Sequence, residues 1–154
     1  MKIHPVSLIP ALLLAAAGLA QAQESATTAR AGTMKIVQGQ ASVTDAKGER
    51  ALKPGDAVTS ADRISTGADS AASMVLRDGT TMVLGANSRI DLKNFAYDST
   101  TQEGNVFVSV LRGSMRMLTG LIGKTRPESI QVTTPTSTIG ILGTDFIVQV
   151  EGSN

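Results

Sequence analysis

The chain has no cysteine and no tryptophan, and its aromatic side chains are three phenylalanines and one tyrosine. Without cysteine there is no disulfide, no thiolate nucleophile and no Cys-based metal site. The one histidine, His4, lies in a stretch expected to be removed on export. A mature chain without histidine has no Ser-His-Asp triad, no His-ligated zinc and no imidazole acid–base chemistry. An excess of charge of either sign is lacking as well. Removing residues 1–22 takes away one charged side chain, Lys2, and leaves 13 basic against 13 acidic residues. A nucleic-acid partner calls for a basic face that neutralises phosphates, and a polybasic membrane contact calls for a cationic cluster, so neither is expected. The few aromatic residues give no stacking platform for single strands either. A near-neutral chain has weak colloidal protection, which favours a bound partner or self-association.

Motifs of chemistry are lacking too. There is no Gly-rich phosphate loop, no dinucleotide fingerprint and no Asp-x-Asp-x-Asp-Gly calcium loop. The carboxylates are densest at Asp56, Asp62, Asp69, Asp78 and Asp91, mostly beside Gly, Ser or Ala. That is where Asp is expected for backbone reasons in turns, rather than as a glycosidase pair. The reading is of a protein that is not an enzyme, with no catalytic residue, no cofactor and no metal. Beyond the export signal no segment sustains apolar residues at i, i+3, i+4, i+7 over a helical window, so no helix is expected in the domain.

What is present begins with an export signal. Residues 1–22 combine Lys2, an apolar run from Val6 to Ala20 and the small-x-small ending Ala20-Gln21-Ala22, with cleavage expected before Gln23. The run is short of the ~20 apolar residues of a bilayer span, so no membrane span is expected once it is cleaved. Residues 23–33 are polar and alanine-rich and read as a flexible lead-in to one β domain over 34–154. The localisation that follows is periplasmic or secreted.

The domain is organised around Ser73 to Leu92, where the pairs Met74/Leu76, Met82/Leu84 and Ile90/Leu92 recur every eight residues. Period-2 placement sends each pair to one face of a strand. Asp78-Gly79 is a strong turn signal, and Asn87-Ser88 a weaker one. Further short strands are expected at Met34–Val37, Ala41–Thr44, Ala57–Thr59, Arg63–Thr66, Val106–Leu111, Ser114–Leu118, Ile130–Val132, Thr138–Leu142 and Phe146–Val150. Asn94 to Gly104 reads as an exposed loop, and Thr119 to Glu128 as a tucked loop. The fold class is all-β, with short stacked strands in a small β-solenoid-like domain or a β-sandwich.

Taken together these segments resemble the FecR family, the periplasmic domain of ferric-citrate-type regulators, from Met34 to Val150. Leu52-Lys53-Pro54-Gly55-Asp56 resembles its l-x-x-G-D element, and Asp62-Arg63-Ile64-Ser65-Thr66-Gly67 its D-x-I-x-T-g element. Ser70 to Thr80, which includes Asp78-Gly79, resembles the s-x-a-x-l-x-l-x-D-G-s core. Thr133-Thr134-Pro135 and Gly143-Thr144-Asp145-Phe146 resemble the closing T-P … r-G-T-x-F signature, with Leu142 where the family usually has arginine. The motif residues Gly55, Asp56, Ile64, Thr66, Gly67, Asp78, Gly79, Pro135, Gly143, Thr144 and Phe146 read as architecture, with Phe146 expected to anchor the last strand. The resemblance implies a protein–protein interaction domain linked to envelope signalling or iron-uptake regulation, whose partner is an outer-membrane receptor or a secreted assembly. So few residues precede the apolar run that the family's cytoplasmic sigma-factor-binding segment is not expected here. The alternative is a cell-wall or carbohydrate-binding module, for which Phe95, Tyr97 and Phe107 are the aromatic candidates.

Overall fold

A computed structural model describes residues 29–152. The expected export signal and the first part of the lead-in lie outside the described residues. The strands are β1 (Arg30–Gln38), β2 (Ala41–Asp45), β3 (Gly48–Ala51), β4 (Ala57–Thr59), β5 (Arg63–Thr66), β6 (Ala71–Leu76), β7 (Thr81–Leu84), β8 (Arg89–Tyr97) and β9 (Gly104–Leu118). A short helix α1 (Leu121–Thr125) and a 3-10 turn at Pro127–Ser129 lead to β10 (Ile130–Thr133), β11 (Thr138–Gly140) and β12 (Asp145–Val150). The fold is all-β, as the residue pattern implied.

The fifteen residues of β9 are the spine. Along one side of it run β8, paired over Gly104–Arg112, and then β7, paired over Met115–Leu118. Along the other side run β10, parallel over Val106–Ser109, and β12, antiparallel over Gly113–Leu118. The sheet therefore continues in two halves that share β9 and curl over one core. A valine half has the order β3-β2-β5-β8-β9-β10-β11, and a methionine half has the order β4-β1-β6-β7-β9-β12. All pairings except β9 with β10 are antiparallel, so the strands are not laid down as the parallel coils of a solenoid.

The eight-residue recurrence has two different causes. Met74 and Met82 are direct cross-strand partners, because Asp78-Gly79 closes a β6–β7 hairpin. Ile90 lies in the other half, opposite Ile64 and Val110. The segment around Asn87-Ser88 reverses nothing. It is an offset where the chain passes from one half to the other while running along β9 in the same direction. On β9 the same point is marked by Gly113, with φ of +79°. A Cβ there would lie 2.5 Å from Ser88 Cα, so glycine lets the spine bend against the offset.

The inner face of the methionine half is a cross-strand row, Met34–Met74–Met82–Met117–Phe146, in which the four methionines are fully buried. Unbranched thioethers fill a curved interior well. The inner face of the valine half is mostly β-branched, including Val43, Ile64, Ile90, Val108, Val110 and Val132. The two faces form one cluster.

Several expected boundaries move. The strand β1 starts at Arg30, inside the stretch read as a flexible lead-in. Ala31 and Gly32 are buried there, and a Cβ on Gly32 would meet the Val75 carbonyl at 2.6 Å. Close backbone contact, invisible to apolar periodicity, holds that segment. The strand β8 runs on to Tyr97, so the expected loop over Asn94–Gly104 shrinks to residues 98–103. Polar Asp45–Glu49 is the turn of a β2–β3 hairpin. Ile122 on α1 is fully buried, but five residues are too few to carry a helical period.

Candidate functional site

The family-motif residues occupy separate corners and do not converge on one pocket. At Gly55 φ is +94°, and the neighbouring Asp56 carboxylate accepts the Lys53 N–H at 2.9 Å and the Arg50 guanidinium at 3.3 Å. Ile64 is core. The Thr66 hydroxyl accepts the Ser88 N–H at 2.9 Å and donates to the Gly85 carbonyl at 2.6 Å. The Ser88 hydroxyl in turn accepts the Ser114 N–H at 2.9 Å and donates to the Ser114 carbonyl at 3.1 Å. Thr66, Ser88 and Ser114 thus form a polar seam where the halves meet, and Gly67 joins it by accepting the Asn87 N–H at 2.9 Å. Asp78, 2% exposed, accepts both the N–H and the hydroxyl of Thr80, whose oxygen accepts the Gly120 N–H at 3.0 Å. Gly79, with φ of +86°, closes that turn. Pro135, Gly143 and Thr144 are exposed; the Thr144 carbonyl accepts the Thr119 N–H at 2.9 Å. Phe146 is half-buried at the end of the methionine row, and the anchoring of β12 is shared with Val148, 6% exposed.

Two further carboxylates are also engaged. Asp62 accepts the Thr59 N–H and hydroxyl at 2.7 and 2.8 Å. Asp91 takes two hydrogen bonds from Arg63, at 2.6 and 2.9 Å, and a contact from Lys93 at 2.9 Å. The Arg63 guanidinium holds the Asp91 carboxyl below its ordinary range against the opposing effect of burial. Asp69 is exposed in a turn with φ of +50°. Among the described residues no group of three or more His, Asp or Glu gathers to hold a metal ion. The aromatic rings are largely under cover. Phe95 is 8% exposed with the Arg77 guanidinium 5.5 Å over its ring, and Tyr97 and Phe107 are half-buried.

The outer faces of the two halves differ in chemistry. The valine half shows cross-strand rows Thr44–Arg63–Asp91–Ser109–Thr133 and Ser42–Ser65–Arg89–Arg112. The methionine half shows Ile36–Ser73–Val83–Arg116–Ile147. In that row Ile36, Val83 and Ile147 are 53%, 36% and 68% exposed, and Leu118 in the adjacent row is 37% exposed. Five strands at ~4.8 Å spacing make the row about 19 Å long. Its one charge, Arg116, is held by Asp145 through two hydrogen bonds at 2.9 and 2.6 Å, and this pairing lowers the Asp145 carboxyl.

The row ends at β12, a sheet edge. Thr119 donates its N–H to the Thr144 carbonyl, and Gly85 donates its N–H to the Ser114 carbonyl. Alternate residues of β9 therefore face opposite neighbours. Phe146, Val148 and Val150 bond to β9, while Asp145, Ile147 and Gln149 turn their N–H and C=O outward. Beside this edge a shallow groove of about 560 Å³ runs between the Thr134–Ser137 turn and Ile147–Gly152, floored by Leu111 and Arg112. Sequence patterning showed β12 as a strand but not as an edge, because edge status depends on which strands pair at long range. The one signal was the run Asp145-Phe146-Ile147-Val148-Gln149-Val150, which has neither lysine nor proline.

The described chain is an all-β domain with aliphatic side chains on the outer face of one half, an open edge at β12, and Asp56, Asp62, Asp78, Asp91 and Asp145 held in turns and ion pairs. The profile of the FecR protein family matches residues 62–154, well over half of the chain, and the chain belongs to that family. The Leu52–Asp56 element lies ahead of the matched region. A solved structure described as a "Cell surface anchoring domain" is 28% identical, over 41% of this chain and 84% of its own length, with a TM-score of 0.39. No curated protein matches the chain. Among the described residues no helix is long and apolar enough to cross a membrane.

Proposed function

We propose that the chain is a non-catalytic protein–protein interaction domain that acts outside the cytoplasm, periplasmic or secreted, and binds another envelope protein, a receptor or a component of a secreted assembly. The observation that carries this reading is the aliphatic row Ile36–Val83–Ile147 on the outer face of the methionine half. Exposed aliphatic side chains gathered on one face, here alternating with Ser73 and the Asp145-paired Arg116, favour protein contact, whereas the outer rows of the valine half are polar. Membership of the FecR family supports a place in cell-envelope signalling, with iron-uptake regulation as its narrower form. The covered aromatic rings weigh against a carbohydrate platform.

The test is in-cell crosslinking of the exported chain, with mass spectrometry of what it captures. Capture of one dominant envelope protein is expected. The paired substitution Ile36→Lys and Val83→Lys should abolish it while the melting temperature stays near that of the parent, since exposed substitutions usually change stability by less than about 0.5 kcal/mol. Retention of wall fragments alone, dependent on Phe95 and Tyr97, would sink the reading. Partners in iron uptake would place the chain in the regulatory branch of its family.

A further inference from the structure

We infer that β12 is the pairing edge of a homodimer, joined antiparallel to β12 of a second copy about a twofold axis at Ile147. This goes beyond the proposed envelope partner and rests on a different observation, the outward backbone groups of one strand. Other sheet ends are blunted in ways that discourage strand addition. The strand β3 is four residues carrying Glu49 and Arg50, while β4 and β11 are three residues each. By contrast, β12 is six residues long, pairs only with β9 among the described strands, and has Asp145, Ile147 and Gln149 exposed.

The outward residues are symmetric about Ile147. With Ile147 opposite the second copy's Ile147, Asp145 falls opposite Gln149 and Gln149 opposite Asp145. Every outward N–H and C=O of both strands then finds a partner, because all three facing pairs are hydrogen-bonding pairs. Shifting the register by two positions leaves one such residue on each strand outside the β12 pairing. A larger shift sets Asp145 against Asp145, or Ile147 against Glu151. Like charges directly opposite destabilise a sheet, whereas a carboxylate opposite an amide does not. On the inner face the same register sets half-buried Phe146 against the second copy's Val148, covering a ring at the open end of the methionine row. A near-neutral net charge puts no repulsion between copies. The aliphatic row then continues across the axis, so the dimer offers an envelope partner a doubled face.

A chain without cysteine makes the register testable with single introduced thiols. Facing residues in a hydrogen-bonding pair have Cα atoms about 5.5 Å apart, within disulfide reach. Under mild oxidation of the purified chain, Ile147→Cys should crosslink to itself. Asp145→Cys alone should not, because its own copy lies about 13 Å away along the strand. Combining Asp145→Cys with Gln149→Cys should restore crosslinking. In sedimentation experiments the parent chain should double in mass as concentration rises. The Ile147→Pro variant should stay monomeric, with the melting temperature that the parent has at concentrations where it too is monomeric, since the Ile147 N–H does not bond to β9. A parent chain that stays monomeric at the highest concentration, or an Asp145→Cys chain that crosslinks better than Ile147→Cys, would overturn the dimer. Capture of an envelope protein by such a monomer would leave the interaction reading standing by itself.

Discussion

The Thr80 hydroxyl joins two parts of the chain that are distant in sequence. It donates to the buried Asp78 carboxylate at 2.7 Å and accepts the N–H of Gly120, the residue before α1. Replacing Thr80 with valine keeps the shape, leaves the Gly120 N–H unpaired in the interior and leaves the Asp78 carboxylate with only the backbone N–H of residue 80. Each buried group left without its partner costs about 1–3 kcal/mol, so Thr80→Val should lower the urea midpoint clearly while Thr80→Ser retains most of it. An unchanged midpoint in the valine variant would refute the role. A second residue-scale prediction concerns acid. The Asp91 carboxyl is depressed by Arg63, so its contribution to stability is present above the unfolded value of about 3.9 and is lost as pH falls through the lower folded value. Asp91→Asn should therefore lower stability at neutral pH and flatten the acid limb of a stability–pH curve, and a parallel acid limb in the variant would contradict it. Much of this scale was legible in the sequence. Gly55, Asp56, Asp78 and Gly79 read as turn residues and are turn residues, because local backbone demands are written locally. Ser88 shows in the sequence only as half of a weak turn, and Gly113 only by lying between the expected strands Val106–Leu111 and Ser114–Leu118, since their importance comes from meeting each other 25 residues apart.

At the scale of elements, β9 decides the architecture, and Gly113 decides β9. Added Cβ atoms are unfavourable there twice over, through φ of +79° and through contact with Ser88. Gly113→Ala should cost at least about 2 kcal/mol, from left-handed backbone strain plus displacement of the polar seam. A calorimetric scan showing no loss would mean that the bend tolerates a side chain. The last strand gives a graded case. A fully buried Phe→Ala typically costs about 3–5 kcal/mol, but Phe146 is half-buried in a single copy and shares the anchoring with Val148, so Phe146→Ala should cost about half of that at concentrations where the chain is monomeric. At concentrations where β12 pairs with a second copy the ring is covered, and the loss should rise toward that of a fully buried one. Strands with clean alternation, such as Arg63–Thr66 and Ala57–Thr59, were legible to the residue. The β7–β8 junction was not, because a hairpin turn and an offset between half-sheets use the same residue types. Nor was the start of β1, where Ala31 and Gly32 bury backbone rather than apolar side chains.

The whole molecule has one core drawn from both halves, and β9 contributes inner residues to each: Val106, Val108 and Val110 to one, Met115 and Met117 to the other. Neither half has a closed interior of its own, and the polar seam of Thr66, Ser88 and Ser114 fixes their relative placement. Opening either half therefore exposes apolar surface of the other, and the free-energy minimum between folded and unfolded is removed. The domain should unfold in a single two-state transition. The chain supplies its own probes for each half: Tyr97, a lone tyrosine unmasked by tryptophan, reports on the valine half, and the methyl signals of Met74, Met82 and Met117 report on the methionine half. Their midpoints in urea should coincide with the loss of far-ultraviolet circular dichroism. The substitution Thr80→Val, whose side-chain partners are the β6–β7 turn and Gly120 before α1, should shift the tyrosine midpoint as far as the methionine one. If the methionine signals moved alone, the halves would be separate cooperative units, and β9 would be a linker rather than a spine.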